Sequence, residues 1–142
     1  MDINRTKLEQ TANEIANKLE LQQIVGEKVP DAIVAINEEG IIVYFNHQAE
    51  LTFGYKESEV LDQPLRILLT DDNIEKYDRV YIPEFFADMR DRPMALRKTL
   101  KAKDKWNRIF EVKIYLAGAL SEIGKIGIAY IRRILPEVED TE

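Results

Sequence analysis

Cysteine is absent from the 142 residues, and histidine occurs once, at His47. The first absence removes disulfides, thiolate metal sites, cysteine nucleophiles and thiol photochemistry together, and it fits a reducing compartment. A general base needs positioned partners, and a single histidine directly after Asn46 reads as a surface or capping residue. Only two serines occur, Ser58 and Ser121, and neither sits in a nucleophile-elbow pattern. No apolar run approaches the ~20 residues of a membrane span. The opening Met1-Asp2-Ile3-Asn4-Arg5 lacks the charged-then-apolar order of a secretory leader. The chain is therefore expected in the cytoplasm, with no membrane partner.

A net charge of −6 opposes the phosphate backbone of nucleic acid. The richest basic stretch, Arg90, Arg92, Arg97, Lys98, Lys101, Lys103, Lys105 and Arg108, is diluted by Asp88, Asp91 and Asp104, so no nucleic-acid partner is expected. Paired acids such as Asp71-Asp72 and Glu57 with Glu59 read as solvated loop carboxylates, and no metal site is expected. Gly118 to Gly124-Lys125 superficially follows a phosphate loop, but its glycines stand one residue too far apart and Ile126 replaces the required hydroxyl. No catalytic constellation remains, and the chain is expected not to be an enzyme.

What the sequence does hold is a hydrophobic content of 45%, enough for the core of one domain. Its head, residues 1–28, reads as an amphipathic helix from Thr6, with Thr6 and Glu9 at capping-box spacing. Leu8, Ala12, Ile15, Leu19 and Gln22 recur at alternating steps of four and three and make a narrow seam. Such a seam suits a second copy, so a homodimer through these five residues is expected; packing back onto the domain is the alternative.

Ala32-Ile33-Val34-Ala35-Ile36, a turn closing on Gly40, and Ile41-Ile42-Val43-Tyr44-Phe45 predict a β-hairpin. Asn46 is placed to cap a helix over His47–Phe53 that stops at Gly54, and Ser58 to cap a short helix through Leu61. Tyr77, Tyr81, Phe85 and Met89 fall every fourth position, which predicts a helical stripe, kinked or restarted near Ile82 by Pro83. Period-two patterning then predicts three consecutive strands over residues 94–102, 109–116 and 125–133, with turns near 104–107 and 118–124. Two strands, short helices, then three strands make an α+β order: one five-stranded antiparallel sheet with helices on a single face.

In this order the chain resembles the PAS domain family over roughly residues 29–135. The resemblance rests on Ala32 to Ile36, Glu39-Gly40, Ile41 to Phe45, Asn46, Ala49-Glu50, Phe53-Gly54-Tyr55 and Glu59-Val60-Leu61, then on Arg92-Pro93-Met94, Lys103-Asp104 and Phe110-Glu111-Val112. It implies a sensing and signalling module that relays a small-ligand or partner signal and dimerises through a flanking amino-terminal helix. Gly40, Asn46 and Gly54 are its structural motif positions. The pattern departs at Asp62 and around Lys105-Trp106-Asn107, where the family often has glycine, and reshaped turns are expected there. It departs again at Arg132-Arg133-Ile134-Leu135, where the family's signalling junction is Arg-Asp-Ile-Thr. Only the acidic stretch 136–142 follows, so the chain reads as stand-alone or as a piece of a longer sensor, with its head helix as the output.

A cavity between the sheet and the long helix is expected to be lined by Tyr44, Tyr77, Tyr81, Phe85, Met89, Leu100, Ile114, Ile128 and Tyr130, the tyrosines giving polar handles to a small apolar ligand. A filled core, and hence a protein-binding adaptor, is the alternative. No cofactor is expected. Haem-binding relatives place a histidine where Tyr77 stands, and the light-responsive flavin subclass needs an absent cysteine; a non-covalent flavin has no residue in its favour. Trp106, in a hairpin turn, reads as cover for the sheet edge or as a partner contact.

Overall fold

The computed structural model describes residues 6–7, 9–10, 32–70, 82–89, 92–93, 100–121 and 124–134. From residue 32 on, the described elements are, in order, β1 (Ala32–Ile36), β2 (Ile42–Phe45), α1 (His47–Phe53), α2 (Glu57–Val60), a 3-10 turn (Leu65–Leu68), α3 (Ile82–Ala87), β3 (Arg92–Pro93), β4 (Leu100–Lys103), β5 (Ile109–Ser121) and β6 (Gly124–Ile134). The sheet runs β2-β1-β6-β5, and both β4 and the two-residue β3 pair the far edge of β5. It is therefore five strands wide, and every pairing is antiparallel.

Local chemistry sets the first half. Asn37 Oδ1 accepts from Glu39 N and Ile41 N, closing the β1–β2 turn in which Gly40 has φ +78°. Asn46 Oδ1 accepts from Ala49 N, capping α1, and from Ile33 N, tying that cap to β1, both at 2.9 Å. Gly54 ends α1 at φ +81°, and the Trp106 ring lies so close that a Cβ there would sit 2.3 Å from its Cζ3. Only glycine meets both demands. In α2 the cap differs from expectation: the helix starts at Glu57, Ser58 lies inside it, and the Glu59 carboxylate accepts from Lys56 N at 2.8 Å. Pro83 falls in the first turn of α3, where its missing N–H costs nothing.

β5 reaches Ser121, beyond the expected end at 116, and pairs Ser121 with Gly124. Ala117-Gly118-Ala119 are too small to show a period-two contrast, which is why the turn looked wider in sequence. Residues 94–99 of the expected third strand, the helical stripe at Tyr77 and Tyr81, and the head seam at Leu8, Ala12, Ile15, Leu19 and Gln22 lie outside the described residues. Thr6, Lys7, Glu9 and Gln10 are helical.

Two apolar layers flank the sheet. The inner one joins Val34, Ile36, Ile42, Phe45, Val112, Leu116, Ala129 and Ile131 to every buried residue of the described helices, among them Phe53, Val60, Leu68, Ile82, Phe85 and Phe86. Phe53 stacks at its centre, 6.1 Å from the Phe45 ring and 5.7 Å from Phe110, each contact adding about 0.5–1.5 kcal/mol beyond burial. Among the described residues, the buried members of the outer layer are strand residues: Ile33, Ala35, Tyr44, Ala117, Ile126, Ile128 and Tyr130.

Candidate functional site

On the inner face a largely enclosed space lies between the sheet and the helical layer. Its walls are Ile36 of β1, Phe53 of α1, Leu65, Leu68 and Leu69 of the 3-10 turn, Ile82, Phe85 and Phe86 of α3, Ala102 of β4, Val112, Ile114 and Leu116 of β5, and Gly127, Ala129 and Ile131 of β6. None of these carries a side-chain nitrogen, oxygen or sulfur. The enclosed void measures about 20 Å³, and roughly 10–15 Å³ already holds one water. Any larger occupant must displace a side chain.

The structure sorts the nine residues expected around a cavity into three groups. Phe85 and Ile114 line the space, and Met89 and Leu100 pack against the same inner layer. Tyr44, Ile128 and Tyr130 belong to the opposite face of the sheet and do not reach it. Tyr77 and Tyr81 are outside the described residues. Two registers explain the misplaced three. Ile114 stands opposite Ile131 and Leu116 opposite Ala129, so even positions of β5 share a face with odd positions of β6. In β2 the pairing slips by one residue between Ala35 and Ile36, and this bulge sends Val43 and Tyr44 together to the outer layer while Ile42 and Phe45 stay inside. The walls missed by sequence, Ile36, Ala129 and Ile131 among them, follow once that parity is known.

The rim of the inner layer is polar and structural. Asp104 Oδ1 accepts from Trp106 N and Arg108 N, both at 2.9 Å, and Oδ2 from Arg108 Nε at 2.8 Å. Burial pushes this carboxyl up, but the Arg108 and Trp106 hydrogen bonds outweigh it, so its pKa lies below the ordinary value. Glu50 accepts from Glu57 N at 2.7 Å, which lowers its own pKa against the opposing effect of burial. His47, with 80% of its side chain exposed, lies 3.3 Å from Glu50 at the outer end of α1. Trp106 covers Gly54, is 60% exposed, and carries the Arg108 guanidinium 5.0 Å above its ring. Of the basic stretch, Lys105 and Arg108 are paired with Glu59 and Asp104.

A sheet of this order with its helices and cavity on one face matches the family model of the PAS fold over residues 19–112. The chain belongs to the PAS family. Solved structures agree in fold. The PAS domain of a protein from Desulfitobacterium hafniense is 18% identical, with 75% of this chain and 95% of that one covered at a TM-score of 0.62. The PAS domain of an HTR-like protein from Haloarcula marismortui is 21% identical over 86% and 99% of the two chains, at 0.60. The PAS domain of the RpfR quorum-sensing receptor from Cronobacter turicensis, in complex with C12:0, is 18% identical over 78% and 100%, at 0.58. PAS domains are in general signal-sensing modules.

Where the resemblance leads one to expect glycine, this PAS domain carries other residues in the backbone conformation that glycine favours. Asp62 has φ +71° and Asn107 φ +63°, the left-handed conformation that glycine adopts freely and Asp and Asn tolerate. No helix among the described residues is long and apolar enough to cross a membrane.

Proposed function

We propose that this PAS domain is a non-enzymatic, cytoplasmic sensing and dimerisation module that reads a small apolar molecule at the inner face of its sheet and passes the change to its head helix. The observation that carries this reading is the enclosed space whose walls are apolar throughout, the character of a site for an apolar ligand. The C12:0 complex of the Cronobacter PAS domain lends support, since a hydrocarbon chain suits such walls. A void near 20 Å³ means that binding must shift the domain to a more open arrangement, and the signal is that population shift. Haem and flavin are not proposed, because the described walls offer no donor atom to iron or to a flavin's polar edge. The dimer is proposed through Leu8, Ala12, Ile15, Leu19 and Gln22, on the narrowness of that seam in sequence.

Native mass spectrometry of the intact protein, with thermal unfolding in dodecanoic acid, tests the input. Retained mass and a saturable rise in Tm are expected; binding at a hundredfold excess over Kd contributes about 2.7 kcal/mol. Neither effect would favour the second reading, a partner-binding adaptor, which the smallness of the void supports. Light scattering on the full chain and on a form lacking residues 1–27 tests the output: the full chain is expected to be a dimer and the shortened one a monomer.

A further inference from the structure

The inner faces of β5 and β6 lack side chains at one place. Gly118 and Gly127 stand directly opposite each other across the two strands. α3 and the residues just after it fill the gap. A Cβ on Gly127 would lie 3.1 Å from the Phe85 ring and 3.3 Å from the Phe86 ring, and one on Gly118 would lie 2.7 Å from Met89 Cε. The two rings, edge to face at 5.3 Å, are among the walls of the enclosed space. A polar contact fastens this segment to the hairpin: Lys125 of β6 donates from Nζ to the Phe86 carbonyl at 3.2 Å.

We propose that α3 is a removable plug, that the paired glycines beneath it seat the hydrocarbon part of an apolar carboxylic acid, and that Lys125 receives the carboxylate. The inference rests on the sensing reading above and adds a place and a ligand class to it. Lys125 is exposed, at the edge of walls that hold no charge. A carboxylate arriving there offers the ammonium a charge-assisted hydrogen bond in place of one to a neutral carbonyl. The exchange releases the Phe86 carbonyl and with it a polar tie between α3 and β6, while the hydrocarbon takes the room that the two rings vacate. The ligand thereby interacts more strongly with the open state than with the closed one, as any population shift requires.

Dodecanoic acid and dodecanol, titrated into the full-length protein and its Lys125→Met variant, separate the possibilities. The wild type is expected to bind the acid about tenfold more tightly than the alcohol, the size of effect a hydrogen bond to a charged group supplies. K125M is expected to lose that preference and, without ligand, to exchange the amides of Ile82–Ala87 faster than wild type. Addition of acid to the wild type is expected to speed exchange at the same amides. Acid binding with its preference intact in K125M, or with α3 protection unchanged, overturns the plug and leaves the sensing reading standing. Failure of both compounds to bind either protein overturns the two together. Because K125M alters an exposed position, its fold is retained, and an unchanged unfolding midpoint in the absence of ligand checks this.

Discussion

Both faces of the sheet carry a buried cluster, and the two are differently built. The inner face is completed by helices and turns, each a separate element that can move, and between them lies a space with a fastened plug. The buried outer cluster is made of strand side chains fixed by the pleat: Ile126 and Ile128 are fully buried, and Tyr44 and Tyr130 no more than 4% exposed. A layer assembled from detachable elements can change its filling. A layer made by the ladder itself cannot do so without breaking strand pairing. The proposed sensing site lies on the inner side, among the elements that can change their packing.

The largest effect that tests this contrast comes from truncation on each side. Phe53→Ala removes the ring that joins Phe45 and Phe110 and is expected to cost about 3–5 kcal/mol, while Ile128→Ala on the outer side should cost about 2–5 kcal/mol, both read from urea unfolding. A cost below about 1 kcal/mol for Ile128 would break the comparison, because the outer cluster would then not be core.

Next comes the rim. Asp104→Ala deprives three donors of their acceptor and is expected to cost about 2 kcal/mol. Since Lys105 N donates to the Phe53 carbonyl from the same hairpin, the loosening should appear as faster amide exchange in α1, with β1 and β6 unchanged. Equal loosening of both faces would show that the inner layer is not independently detachable.

The same carboxyl gives a pH signature. Its pKa is lower in the folded chain than in the unfolded one, so its stabilisation is complete above the unfolded value, near 3.9, and is lost as pH falls through the folded value. The difference in unfolding midpoint between wild type and Asp104→Ala, measured from pH 6 to pH 3, should narrow toward the acid end.

The smallest effect is a gain. Asp62→Gly and Asn107→Gly remove the cost of a side chain at positive φ and should each stabilise by about 0.5 kcal/mol, the scale of a single backbone-conformation change. Both turns border the inner layer, so the gain should show in α2 and in the β4–β5 hairpin.

Much of the fold was readable from the chain. Asn46 as cap and Gly54 as stop are statements about single residues and their backbone, and they needed no knowledge of the rest of the molecule. The alternation in β5 likewise announced its inward row at Phe110, Val112, Ile114 and Leu116. The cavity walls were legible only in part. Ile128 and Tyr130 look as inward as Ile114 until the pairing of β5 with β6 is known, and Tyr44 is turned away by a one-residue slip that leaves no mark in hydrophobicity. Pairing of Gly118 with Gly127 depends on the same register.

What the sequence determined by itself was the order of elements, the Asn46 cap and Gly54 stop of α1, and the family, because those are set by interactions over a few residues. Tertiary structure alone decided which apolar residues share a face, where space is left between them, and that Lys125 fastens the helix filling it, because a one-residue change in strand register reverses every side chain.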